Sequence, residues 1–393
     1  MHPNRLQTLF LNFGHFFDHM LILIYATAVI SIGIEFNKSY GEILAIATPG
    51  FLLYGCMSMP FGWIGDRKGR HSLMVFFFIG IGLATFLTAF STSIWQIGIG
   101  LTFIGFFAAI YHPVGIPMLI QGVKRPGRVL GANGVFGNMG VAAAPLIVGA
   151  LVTTYGWRGA FIAPGISCMI IGILFWKLVP VDAPTKPSEN KSGKVFNDFM
   201  PGWRRVFIII GTITLVAGFI FNSTTVSLPK LFQERFTDAI PSTIGFTALA
   251  SLVYACASFA QIAAGHAVDR FSARTLLIGL LCGQIVSLPL MAFSHGPMLF
   301  ITSLFAMSCV FGQIPIIDTI ITRYVPDSHR GRVLSIKYLL NLSVGAMAIP
   351  IISSLHTWGD GFSTLFKFLG VIAIIMTVAA FSLQKRHVAA KYL

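Results

Sequence analysis

Apolar residues fall in long runs along the whole chain, each ended by a charge or a Gly/Pro cluster rather than alternating with polar positions. An α-helix rises 1.5 Å per residue, so about 20 apolar residues carry it across the roughly 30 Å of hydrocarbon in a bilayer. The runs predict twelve transmembrane helices, over 6–34, 41–65, 72–91, 94–122, 128–153, 158–180, 204–232, 241–267, 273–294, 296–325, 331–355 and 361–384. A closed barrel also satisfies its backbone in lipid, but it needs short alternating strands, which these runs are not. The stretch 181–203, with Pro184, Lys186, Pro187, Ser188, Lys191 and Lys194, reads as a solvated linker. The expected organisation is an all-α membrane protein with one six-helix bundle at 1–180 and another at 204–393. The run after Arg5 exceeds the core of a secretory signal, so it reads as a retained first helix.

Composition fixes the solvent. Of 393 residues, 55% are hydrophobic and 10% charged, against about 25% charged in a soluble domain, so the chain cannot cover itself in water. The formal charge of +14 follows from an uneven distribution. Of the 27 Lys and Arg residues, 21 fall on the side that holds the linker and both termini. Positive loops collect on the cytoplasmic face, so both termini are expected there, in an inner membrane. A nucleic-acid footprint needs a basic face on a soluble module, and the runs leave room for none. Cys56, Cys168, Cys256, Cys282 and Cys309 lie inside predicted helices without paired spacing, so no disulfide is expected. No nucleotide-binding loop, zinc motif or nucleophile elbow occurs, so neither an enzyme nor a cofactor is expected.

The chain also repeats itself. Asp66-Arg67 matches Asp269-Arg270 at an offset of 203, and Gly127-Arg128-Val129-Leu130 matches Gly331-Arg332-Val333-Leu334 at an offset of 204. Both pairs follow equivalent predicted helices, so the halves are duplicates. The string Gly62-x-x-x-Asp66-Arg67-x-Gly69-Arg70-His71 resembles the signature loop of the major facilitator superfamily, and the likeness extends over the whole chain. Gly14-His15-Phe16-Phe17-Asp18 and Ile110-Tyr111-His112-Pro113 are similar to strings of its fosmidomycin-resistance group of exporters. Membership implies a rocker-switch transporter with its solute pathway between the halves. It also implies that the loop at Gly62, Asp66, Arg67, Gly69 and Arg70 latches the halves together, with a weaker copy at Asp269 and Arg270, where Ser272 replaces a glycine. The plainer reading of this loop is a solvated positive segment. Two departures matter. Leu101 stands where proton-coupled members often carry an Arg, and Ala144 and Val148 replace glycines of an exporter pattern that Gly140, Pro145 and Gly149 keep.

Helix 1 carries the most chemistry. His15, Asp18 and His19 lie about 15 to 21 Å beyond Arg5, near mid-membrane. Spacings of three and four residues stack them on adjacent turns, with Asn12 and Tyr25 on roughly the same stripe. An intramembrane charge is costly and faces a cavity or a partner. His changes charge near neutral pH, so the group can hold or release a proton; a neutral hydrogen-bonded packing cluster is the alternative. His112 lies at similar depth in helix 4, where Pro113 and Pro117 bend the helix. Imidazole and carboxylate are also transition-metal ligands, although no ligand spacing of known specificity occurs, and the expected sites include no metal. In the second half, Asp318 and Lys337 are close enough for a structural ion pair, or Lys337 attracts an anionic substrate. Asn222, Ser223, Thr224 and Thr225 are expected to form a polar kink facing the pathway.

These residues predict a secondary active transporter moving a small organic solute by proton-coupled export. It would act as a monomer, with the solute, protons and membrane lipids as its partners. The alternatives are an importer, a carrier of a metal ion, metal chelate or organic anion, and a non-transporting membrane receptor.

Overall fold

The computed structural model describes residues 5–121, 123, 126–181, 199–236, 242–325 and 330–384. Of the expected linker 181–203, residues 182–198 lie outside them, and Trp203 already opens a helix. The described chain is all helix apart from short connections: α1 (Arg5–Glu35), α2 (Tyr40–Ala45), α3 (Thr48–Cys56), α4 (Ser58–Lys68), α5 (Arg70–Thr88), α6 (Ile94–Ala108), a π-turn (Tyr111–Gly115), α7 (Ile116–Ile120), α8 (Pro126–Leu178), α9 (Trp203–Phe236), α10 (Thr243–Arg270), α11 (Ala273–Phe293), α12 (Gly296–Tyr324), α13 (Arg330–Trp358) and α14 (Phe362–Phe381). Among the described residues ten helices are long and apolar enough to cross a membrane, or eleven if the pair 40–56 and 58–68, bent by 41°, is one span. The twelve expected from the sequence are reached only if α8 is divided where it kinks. Gly156 (φ 68°, ψ 178°) interrupts its helical geometry, so the 53 residues are two helices joined at a kink. Positive φ suits the missing Cβ there.

Two expected helices are broken rather than continuous. The span 41–65 is three pieces, and proline supplies the reason. Pro49 opens α3 and Pro60 lies in the first turn of α4, where the lost N–H has no helical partner to miss. Ser39 starts α2 with a capping box, its hydroxyl accepting from the Glu42 N–H while the Glu42 carboxylate accepts from the Ser39 N–H. The span 94–122 opens into a π-turn at Tyr111–Gly115, where Pro113 cannot donate to the helical ladder. In contrast, α9 continues as helix through Asn222–Thr225, with Pro229 one turn further on. Asn222 Nδ2 donates to Gly218 O (2.8 Å) and the Thr224 and Thr225 hydroxyls donate one turn back, satisfying the polar groups inside the helix.

Helices before the linker pack chiefly among themselves, as do those after it. The halves meet where α8 crosses α10 and where α2 and α3 lie along α13. These seams are tightest at the end away from the linker. A Cβ on Gly41 would lie 2.1 Å from Thr357 Oγ1, one on Gly149 2.0 Å from Thr247 Oγ1, and one on Gly55 2.6 Å from Ser343 Cα. Ser353 Oγ donates to Gly41 O at 2.8 Å, and the Ser251 hydroxyl donates to Ala142 O. Towards the linker α8 and α10 diverge: the nearest atom to a Cβ on Gly134 would be Gln261 Oε1 at 3.8 Å, and Gly131 has open space. Small residues permit such close backbone approach in lipid, where packing replaces the hydrophobic effect between helices.

Candidate functional site

In the first half, α1 and the π-turn bring His15, Asp18, His19 and His112 together. Asp18 is completely buried, and His15 and His112 nearly so. Its Oδ2 accepts from the Tyr54 hydroxyl of α3 at 2.7 Å and lies 3.4 Å from His112 Nε2. Its Oδ1 has no partner, and neither ring nitrogen of His112 makes an aligned hydrogen bond. His15 Nδ1 lies 2.8 Å from Asn133 O, which accepts only; the ring therefore carries its proton on Nδ1 and turns the Nε2 lone pair inwards, 3.1 Å from His19 Nε2. A Cβ on Gly137 would stand 2.6 Å from His15 Nε2, so a side chain there would push the imidazole out of place. The nitrogens of His15, His19 and His112 lie within 4.8 Å of one another, a set able to hold a metal ion.

A second layer fixes the cluster. Tyr111 Oη donates to Leu11 O (2.8 Å) and its ring stacks on His15 at 4.9 Å. Asn133 Nδ2 donates to Asn12 Oδ1 at 2.9 Å. The π-turn widens the helix at His112, and Gly62 lets α4 approach it, a Cβ there lying 3.2 Å from Pro113 Cβ. From the second half, the ring of Tyr338 stacks on His112 at 5.1 Å. This contact makes the cluster sensitive to where α13 sits.

The other expected residues lie apart. Tyr25 points towards the linker-distal end, its hydroxyl donating to Ile43 O. Asn222 sits where α9 meets α13, against Gly345. Lys337 is buried, with Nζ 2.8 Å from Asp318 Oδ1 and 4.4 Å from the Tyr338 ring centroid. It lines a cavity of about 20 Å³ with Thr214, Gln313 and Asn341, enough for about one water. In the loop, Asp66 Oδ1 pairs with Arg70 at 2.9 Å, Arg67 lies over the Trp63 ring at 3.8 Å, and Gly69 has φ 99°. All these loop partners belong to the first half. Arg270 is exposed at the end of α10, and the Asp269 side chain lies outside the described residues.

Sequence reasoning missed Tyr54, Tyr111, Asn133, Gly137 and Tyr338. For Tyr54 a signal existed. Tyr54-Gly55-Cys56-Met57-Ser58 repeats as Tyr254-Ala255-Cys256-Ala257-Ser258, and in both copies the serine hydroxyl donates to the tyrosine carbonyl, at 2.9 and 2.7 Å. The second tyrosine ends on Thr225 O instead of a carboxylate.

The model of the Major Facilitator Superfamily matches residues 9–247 and 237–391. The chain belongs to this family. It is a multi-pass membrane protein and a secondary transporter, not an enzyme. Multidrug resistance protein MdtG of Proteus mirabilis (strain HI4320) is 24% identical over 356 residues, covering 87% of this chain and 85% of that protein. Membrane sensor protein UhpC of Escherichia coli (strain K12) is 28% identical over 158 residues, 37% of this chain and 36% of that one. Among solved structures, a bacterial homolog of the human lysosomal transporter Spinster, inward-facing and occupied, superposes with a TM-score of 0.76 at 15% identity over 97% of both chains. A D-xylose–proton symporter gives 0.75 at 15% identity over 95% of this chain and 96% of that one. At these identities the structural likeness establishes the fold alone.

Proposed function

We propose that this transporter exports a small organic solute in exchange for protons, and that Asp18 carries the proton within the histidine cluster. The observation that carries the reading is Asp18 itself: a wholly buried carboxyl with one oxygen held by Tyr54 beside His112 and the other without a partner. A charge in that position is costly, and binding a proton removes it. Tyr338 extends the cluster to the moving seam, so a change in which end is open changes the water that reaches Asp18. Similarity to a multidrug resistance protein over most of both chains supports export, and the 21 Lys and Arg residues on the linker side support cytoplasmic termini. In this reading protons load from the linker-distal side, the solute arrives from the cytoplasm and favours their release, and the loop around Asp66 latches the halves.

Asp18→Asn fixes a neutral side chain of the same shape. In proteoliposomes, with a substrate found by ligand stabilisation, it should abolish accumulation driven by a pH gradient while substrate-for-substrate exchange continues. Accumulation with wild-type pH dependence in this variant would place the proton elsewhere.

A further inference from the structure

We infer that His15, His19 and His112, with Asp18 beside His112, form a binding site for a divalent first-row transition-metal ion. Three imidazoles and a carboxylate are the donor set such ions prefer over the oxygen-only shells of Mg²⁺ and Ca²⁺. The geometry is close to that of a bound site. A tetrahedral ion with metal–nitrogen bonds of about 2.0 Å holds its ligand atoms about 3.3 Å apart. The two Nε2 atoms of His15 and His19 are 3.1 Å apart, and all three histidines offer a nitrogen within 4.8 Å of the others.

Two independent features point to a ligand rather than to a closed hydrogen-bond network. His15 Nδ1 is engaged by the carbonyl of Asn133, the outer contact that orients a ligating imidazole and leaves Nε2 free to bind. The hydrogen bond between the His15 and His19 Nε2 atoms pairs one nitrogen of each ring, but His112 is left with both nitrogens unpaired and Asp18 with Oδ1 unpaired. These atoms are buried in the same cluster, and an unmatched buried polar atom costs about 1–3 kcal/mol. A cation drawn in among them would engage one His112 nitrogen and compensate the unpaired Asp18 oxygen beside it. Tyr54 would orient the Asp18 carboxylate, and Tyr338 closes the site from the second half. The inference shares residues with the proton reading but stands on ligand geometry.

The test is Co²⁺ titration of the purified full-length chain, freed of any affinity tag and stripped with chelator. The visible d–d bands of Co²⁺ report its coordination. One ion per chain with tetrahedral bands is expected. His15→Gln and His112→Gln should each weaken binding at least about tenfold, and Zn²⁺ should displace Co²⁺ and bleach the bands. His19→Gln, at a half-buried position easier to fold, should show the same loss. His266→Gln, at an exposed position outside the cluster, should bind as wild type. Octahedral bands, or binding that survives in all three cluster variants, would overturn the inference. That failure leaves the Asp18→Asn transport result untouched, so the two readings fall separately.

Discussion

Asp18 and Tyr54 define the site at the scale of single residues. The Tyr54 hydroxyl is the one aligned donor to the carboxyl among the described residues, at 2.7 Å. Tyr54→Phe removes it without changing shape and leaves a buried carboxyl short of a donor. The cost should be about 1–3 kcal/mol in thermal or denaturant unfolding, with slower pH-driven transport and a pH profile that departs from wild type. Tyr254→Phe is the internal control. Its hydroxyl donates to the carbonyl of Thr225, so it should lose about 1 kcal/mol and keep the wild-type pH profile. Equal pH effects in the two variants would mean that the Tyr54–Asp18 contact has no part in coupling. His15, Asp18 and His19 were legible in the sequence because charge and imidazole inside an apolar run need a partner; their spacing gave the His15–His19 contact, whereas Asp18 turns to Tyr54 and His112 on other elements. Tyr54, Tyr111 and Tyr338 were not, because a tyrosine is apolar along most of its length and leaves the run unbroken. Asn133 holds His15 through its backbone carbonyl, which no side-chain pattern reports, while its side-chain amide donates to Asn12.

Among the elements, apolar run length revealed the helices, but their breaks depend on single backbone features. Pro113 and Pro117 announced a bend in the fourth predicted span without revealing that it takes the form of a π-turn, which sets His112 beside Asp18. At Asn222–Thr225 hydroxyl and amide donors reach carbonyls one turn back, so a polar stretch is carried inside a continuous helix. Close crossings were equally hidden, since a glycine in a membrane helix does not name its neighbour. Gly105 and Gly50 pack backbone to backbone where α6 meets α3, the helix that carries Tyr54, and a Cβ on Gly105 would lie 1.9 Å from Gly50 O. Neither backbone can yield as a flexible side chain does. Gly105→Ala should therefore destabilise the protein by about 1–3 kcal/mol, read as a lower unfolding temperature in detergent. A wild-type unfolding temperature would show that the crossing is looser than these distances.

For the whole molecule, duplication and the two-bundle plan could be read from paired loops, whereas which end is shut could not. Only the packing of Gly41 on Thr357 and of Gly149 on Thr247, set against the open space at Gly131, shows that the linker-distal end is sealed. The proposed mechanism ties this closure to the state of one carboxyl: protonation of Asp18 should favour separation of the halves at the linker end. Spin labels at Lys68 in α4 and Phe271 just after α10, both exposed at that end, report it without needing a substrate. Pulsed electron resonance should show the longer label separation gaining population as the pH falls in the wild type. In Asp18→Asn, fixed in the neutral form, the longer separation should dominate at every pH. A wild-type distance distribution that ignores pH, or an Asp18→Asn distribution that follows it as the wild type does, would contradict proton coupling through Asp18.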